Sequence, residues 1–214
     1  MIAAAPTFAA LLCIASLPDD AIPGRVLRVG DWVTYRLVAG PGREHFLRLA
    51  VVGRESGSEK STRVWLELET GTHPEMAAPI GRLRALIDGS GQGAGALHRL
   101  VFSPGFDPPS EVPVQSSSVS PAPLPPASVR VERGGTTMLP TRAGVVRAFP
   151  VSWSTSGEVI KRLWLSGQVP LWGLVRWELP TVGRSVELWA FGTGAASRVP
   201  EPAPTGVFME GGTR

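Results

Sequence analysis

Apolar and polar residues alternate with a period of two through most of this chain, in runs of about six to nine residues that end at turns rich in Gly or Pro. The runs are Trp32 to Val38, His45 to Val52, Val64 to Glu69, Leu97 to Phe102, Ser128 to Arg133, Val145 to Trp153, Val159 to Leu165, Leu171 to Leu179 and Ser185 to Phe191. Within the third, Val64, Leu66 and Leu68 share one face, while Trp65, Glu67 and Glu69 share the other. Strands of this kind joined by short turns predict a mainly β fold built on one large, curved antiparallel sheet. One stretch breaks the pattern: Ile80, Leu83 and Ile87 recur at helical spacing before Asp88-Gly89, so a helix is expected over Ala77 to Ile87. The fold class is thus a sheet with one or a few helices packed on one face.

Large aromatics complicate the polar faces of these strands. Trp65 lies with Glu67, Trp164 with Arg162 and Ser166, and Trp189 with Glu187 and Phe191. A sheet with one wet face does not place Trp there repeatedly, because contiguous exposed apolar surface is uncommon. Something therefore covers both faces, either the chain's own helix or loops, or a ligand in a cavity.

Segment composition sets the boundaries. Residues 1–21 open with an almost wholly apolar, small-residue stretch from Ile2 to Leu17, the length of a signal-peptide hydrophobic region and short for a membrane span. The Lys or Arg that normally precedes such a region is missing, and a buried first element is the alternative. Cys13 is poorly placed for lipoprotein acylation, since Leu12 stands where processing favours a small residue. Residues 22–199 are read as one half-barrel domain. Inside it, residues 103–128 hold eight Pro and seven Ser, which neither pair in a ladder nor bury much surface, so a mobile loop is expected. The Pro- and Gly-containing tail, 200–214, is expected to be disordered.

Composition narrows the function classes. Of 214 residues, 43% are hydrophobic and 18% charged, with 25 Gly and 21 Pro. So much Gly and Pro leaves little room for a coiled coil or a helical membrane bundle, and no apolar run reaches the about 18 residues of a spanning helix. The net charge is +3, but the 19 Arg and two Lys are scattered singly rather than in the runs that track phosphates, so no nucleic-acid partner is expected.

Motifs for catalysis are weak. The segment from Gly89 to Gly95 fits a loose phosphate-loop pattern in the wrong order of elements. His45, His73 and His98 lack metal-ligand spacing, and Glu67, Glu69, Glu178 and Glu187 read as solvated-face residues. No enzyme, metal or cofactor is expected. Gly30-Asp31-Trp32 matches the short lipocalin signature, but a turn Gly before a core Trp is the favoured reading.

The second half carries a more specific pattern. Thr141-Arg142-Ala143-Gly144 begins one strand, Leu163-Trp164-Leu165-Ser166-Gly167-Gln168-Val169-Pro170 ends another, and Gly173-Leu174-Val175-Arg176 begins the next. This order resembles the Lol-type lipoprotein carriers (LolA- and LolB-like) and related exported envelope proteins of half-barrel design. The resemblance implies an open, strongly curved sheet with helix cover on its concave side, location in the periplasm or cell envelope, and an apolar cavity for acyl chains. The chain departs from that family in having a single helical stretch, a Pro/Ser loop in mid-sequence and no Arg assignable to cargo release.

Val169-Pro170 ends a strand because Pro lacks the ladder N–H, which leaves apolar Leu171 and Trp172 in a connection. They fold under the sheet, the favoured reading, or stand at a cavity mouth. Trp164, Leu171, Trp172 and Trp189 are accordingly the candidate ligand-binding residues. The expected function is an exported, non-enzymatic binder of a lipid or a lipoprotein acyl chain. The alternative is an envelope interaction protein that contacts a protein partner through a sheet edge or the Pro-rich loop.

Overall fold

The computed structural model describes residues 26–38, 40, 44–56, 62–89, 97–104, 108–114 and 128–202. The apolar amino-terminal stretch, Cys13, nearly all of the Gly-rich loop, residues 105–107 and 115–127 of the Pro/Ser segment and the tail from 203 lie outside the described residues. The expectation that residues 103–128 do not pair in a ladder is corrected in part: Ser110–Val112 form a short strand paired with Leu100–Phe102.

The described residues form twelve strands: β1 (Trp32–Val38), β2 (Glu44–Ser56), β3 (Thr62–Gly71), β4 (Pro79–Asp88), β5 (Leu97–Ser103), β6 (Ser110–Val112), β7 (Val129–Arg133), β8 (Thr137–Thr141), β9 (Gly144–Thr155), β10 (Glu158–Leu165), β11 (Leu174–Leu179) and β12 (Arg184–Gly192). They make one open antiparallel sheet in the order β6-β5-β4-β3-β2-β1-β12-β11-β10-β9-β7, with β8 pairing β9 beside it. The two halves of the chain join where β1 pairs β12, from Trp32 opposite Gly192 to Val38 opposite Ser185.

The helix expected over Ala77 to Ile87 is corrected: this segment is β4. Leu83 and Ile87 are four apart, a separation that keeps two residues on one face of either a helix or a strand. The pairing decides between them. Leu83, Ala85 and Ile87 stand opposite Leu68, Leu66 and Val64 of β3, while Arg82, Arg84 and Leu86 stand opposite Glu69, Glu67 and Trp65. Ile80, the third apolar position of the helical pattern, is an exposed residue.

The inner face of the sheet holds the core. Val33 and Tyr35 of β1, Leu47, Leu49 and Val51 of β2, Val64, Leu66 and Leu68 of β3, Leu163 and Leu165 of β10 and Leu188 of β12 are buried in one cluster. On this face the Tyr35 hydroxyl reaches past β12 and donates to the Leu174 carbonyl of β11 at 3.1 Å. β9 pairs β8 through Gly144–Ala148 and β7 through Val151–Thr155. Between these halves stands Pro150, which offers no N–H, and the buried positions shift from Val146 and Ala148 to Val151 and Trp153.

The outer face is covered by the chain itself. Residues after β12 cross it, with Val199 buried, and the loop before β4 folds Met76 onto Gly71 with Sδ 3.0 Å from where a Cβ would stand. Phe46, Ala50, Trp65, Leu86 and Val199 are buried on this side, so Trp65 has protein cover, while Trp164 and Trp189 are half-buried.

Candidate ligand cavity and a buried carboxylate pair

The connection between β10 and β11 is built from its hydrogen bonds. Ser166 N–H donates to Gly173 O at 2.8 Å, and Gly173 N–H donates to Pro170 O at 3.2 Å, which closes a tight turn. Leu171 inside that turn has φ 58, a left-handed conformation that costs a non-glycine residue roughly 1–2 kcal/mol. Its side chain and that of Val169 are nevertheless buried, so packing holds the strained backbone in place. Gln168 is fixed from both ends: its N–H donates to Ser166 Oγ at 3.1 Å, and its Oε1 accepts from Arg147 N–H at 2.9 Å.

Two other segments meet this connection. The entry to β1 is held by Gly30 N–H donating to Val51 O at 2.7 Å and Ala195 N–H donating to Gly30 O at 2.9 Å. Gly30 has φ 95, and a Cβ there would stand 3.2 Å from Gly194 N, so only glycine fits the crossing of the two segments. The end of β12 supplies Phe191, Gly192 and Thr193. Together they line an open cavity of about 470 Å³. Its lining combines apolar Val26, Val169, Pro170, Leu171 and Phe191 with polar Arg28, Asp31, Gln168 and Thr193. Val26 is 64% exposed and stands at its rim.

Of the four residues singled out from the sequence, Leu171 lines this cavity. Trp172 lies beside it in the turn, half-buried and packed against the inner core. Trp164 stands opposite Arg176 in the sheet, with the Arg162 and Arg176 guanidinium carbons 5.4 and 5.6 Å from its ring. Trp189 occupies the bulge in the β1–β12 ladder and meets Phe46 edge-on at 5.1 Å. Arg142 and Arg36 lie 4.9 and 6.0 Å from its ring. Cations thus flank both Trp164 and Trp189.

A second arrangement departs from the sequence reading. Glu67 and Glu69, read as solvated, are 1% and 0% exposed. Glu69 accepts from Arg82 Nε at 2.9 Å, Arg198 at 3.1 Å and Arg48 at 3.2 Å. Burial pushes the Arg48 guanidinium below its ordinary value, and the Arg198 charge pushes the same way against the pull of Glu69 and Glu67. Glu67 is bonded differently: it accepts from Ser197 Oγ at 2.8 Å, Arg198 N–H at 3.0 Å and Val199 N–H at 3.2 Å. With every bond directed at a structural partner, the two carboxylates hold the segment after β12 against the sheet. His98 Nε2 lies 2.7 Å from Asp88 Oδ1, so this histidine also has a local partner. Among the described residues no cluster of His, Cys, Asp and Glu is arranged to hold a metal ion.

No family model matches the chain, and no curated protein matches it. Solved structures do. A Bacteroides fragilis protein classed as exported, with a YmcC-like fold, is 13% identical with a TM-score of 0.40, over 79% of this chain and 99% of its own. A Parabacteroides distasonis protein classed as a lipoprotein is 13% identical with a TM-score of 0.38, over 78% and 97%. An outer membrane lipoprotein-sorting protein domain from Vibrio parahaemolyticus is 9% identical with a TM-score of 0.28, over 77% and 85%.

Proposed function

We propose that this protein is an exported, non-enzymatic binding protein of the cell envelope that takes one acyl chain of a lipid or lipoprotein into the cavity beside Leu171. The observation that carries this reading is the mixed apolar and polar lining. Val26, Val169, Pro170, Leu171 and Phe191 offer apolar surface, and Arg28 and Gln168 offer polar groups to a headgroup. Ligand sites are typically concave, about 300–1,000 Å³, mostly apolar and fixed in orientation by a few polar groups. A cavity of about 470 Å³ falls within that range. Each methylene buried contributes about 0.8 kcal/mol, so affinity rises with the length of chain enclosed.

The test is native mass spectrometry of protein purified from an envelope fraction, followed by titration of delipidated protein with a series of fatty acids. Trp172 follows Leu171 in the chain and is the natural fluorescence reporter. The expected result is co-purifying lipid and a fluorescence change that saturates at lower concentration as the acyl chain lengthens. Lipid-free protein whose fluorescence ignores acyl probes of every length overturns the proposal.

A further inference from the structure

Glu67 has a direct cross-strand neighbour of opposite charge, Arg84 of β4, yet the two are not bonded to each other. Arg84 stacks 4.4 Å from the Trp65 ring and donates to Glu201 at 2.7 Å. The carboxylate left over is turned to the consecutive main-chain N–H groups of Arg198 and Val199. Among the described residues, every bond that Glu67 makes comes from residues 197–199. Glu69 differs, because Arg48 and Arg82 of the sheet hold it whether or not Arg198 is present.

We propose that this outer-face groove over β2, β3 and β4 is a peptide-recognition site, occupied in this structure by the chain's own residues 197–201, and that an extended segment of a partner protein takes the same seat. The chemistry it selects is written in the occupant. A carboxylate that accepts two successive N–H groups reads backbone and is indifferent to side chains. Glu69 selects a base at the position of Arg198, the buried site of Val199 selects a small apolar residue, and Arg84 selects an acid two residues later. The segment sought is therefore of the form hydroxyl, base, small apolar, Pro, acid.

Exchange is built into the attachment. Val199 is the one buried side chain between Thr193 and Glu201, and the approach to it, Gly194-Ala195-Ala196, is small and unbulky. Segments with few buried contacts open at a free energy well below that of global unfolding. Release leaves the groove intact, since Glu69 keeps its sheet partners and Glu67 becomes hydrated. The tether gives the chain's own segment an effective concentration on the order of millimolar, so a free peptide competes poorly until the segment is weakened.

The test uses a fluorescein-labelled, terminally blocked Ser-Arg-Val-Pro-Glu peptide against the full chain and against the full chain carrying Ser197→Gly and Val199→Gly. At least tenfold tighter binding to the variant is expected, with loss of binding when the peptide Arg is exchanged for Glu. Equal affinity for both proteins, or for both peptides, overturns the proposal. A concentration-dependent dimer of the unaltered protein that the variant fails to form gives the seat to a second copy and also overturns it. Should the variant misfold, hydrogen exchange on the unaltered chain decides. The Arg198 and Val199 amides are expected to exchange at least a hundredfold faster than those of β3, and exchange only by global unfolding rules out a releasable segment.

Discussion

Arg82 donates through Nε to Glu69 at 2.9 Å, directly across the β3–β4 ladder, and the carboxylate it meets is 0% exposed. On a surface-facing strand such a pair contributes little, but here Glu69 and Arg48 are buried, and the more exposed Arg82 and Arg198 share the same acid. Removing one member of a buried network strands the others.

Glu69→Gln keeps the shape of the side chain and removes its charge, which leaves three guanidinium groups facing a neutral amide. A loss of about 3–5 kcal/mol is expected, by the usual cost of breaking a buried ion pair. Urea denaturation checks it through a lowered midpoint at unchanged slope. A loss below about 1 kcal/mol would class the network with exposed surface pairs.

Leu171→Gly sets two effects against each other. Glycine relieves the left-handed backbone at φ 58, a gain of roughly 1–2 kcal/mol. Deleting a side chain that is 3% exposed costs roughly 2–5 kcal/mol. Burial wins, so the variant is expected to be less stable, and a thermal melt of the two proteins side by side gives the sign directly.

Val26→Glu alters the cavity rim without touching the core, since Val26 is 64% exposed. Melting temperature is expected to stay within a degree or two, while a carboxylate beside the apolar lining weakens fatty-acid binding about tenfold or more. Isothermal titration with a saturating acyl chain separates the two. Unchanged affinity removes this cavity from consideration as the acyl site.

Acid is expected to open the sheet edge at β6. Arg99 holds the Glu111 carboxyl below the usual carboxylate range, by hydrogen bond first and by charge second. A depressed carboxyl contributes stability above its unfolded value, about 4.3, and loses that contribution as pH falls through the folded value. The amides of Ser110 and Val112, corrected for intrinsic rate, should therefore lose protection as pH drops below about 4. Glu111→Gln should show the weaker protection at every pH.

How far the sequence foretells the structure varies by element. β1 is read with its observed bounds, Trp32–Val38, because seven alternating residues lie between a Gly turn and a Gly-Pro turn. The two faces of β3 are likewise read correctly, with Val64, Leu66 and Leu68 inward. β4 is not, because Leu83 and Ile87 satisfy both periods and only the pairing with β3 decides between them. β6 has three residues, and β8 carries Pro140, so neither presents a clean alternation. The burial of Glu67 and Glu69 is invisible locally. It depends on a segment without any period, Ser197-Arg198-Val199, whose partners are about 130 residues away. Leu171 at the cavity follows from an apolar residue in a turn, and Arg162 beside Trp164 from their spacing on one strand, whereas Arg176 beside Trp164 and Arg36 and Arg142 beside Trp189 come from elements that only the fold brings together.

The junction of β1 with β12 bears on how the molecule is made as well as on how it stands. Trp32 Nε1 donates to Thr193 O, and these residues are 161 positions apart. Closing so long a loop is slow, and sheets dominated by such non-local pairings assemble on the millisecond-to-second scale rather than in microseconds. Throughout that interval the first hairpins have one edge of β1 unpaired, presenting Val33 and Tyr35 beside free ladder groups. An exposed strand edge of this kind recruits other chains as readily as its rightful neighbour. The hazard this protein faces is therefore one of timing, and a factor that shields β1 until β12 arrives would raise its yield without altering a single native contact.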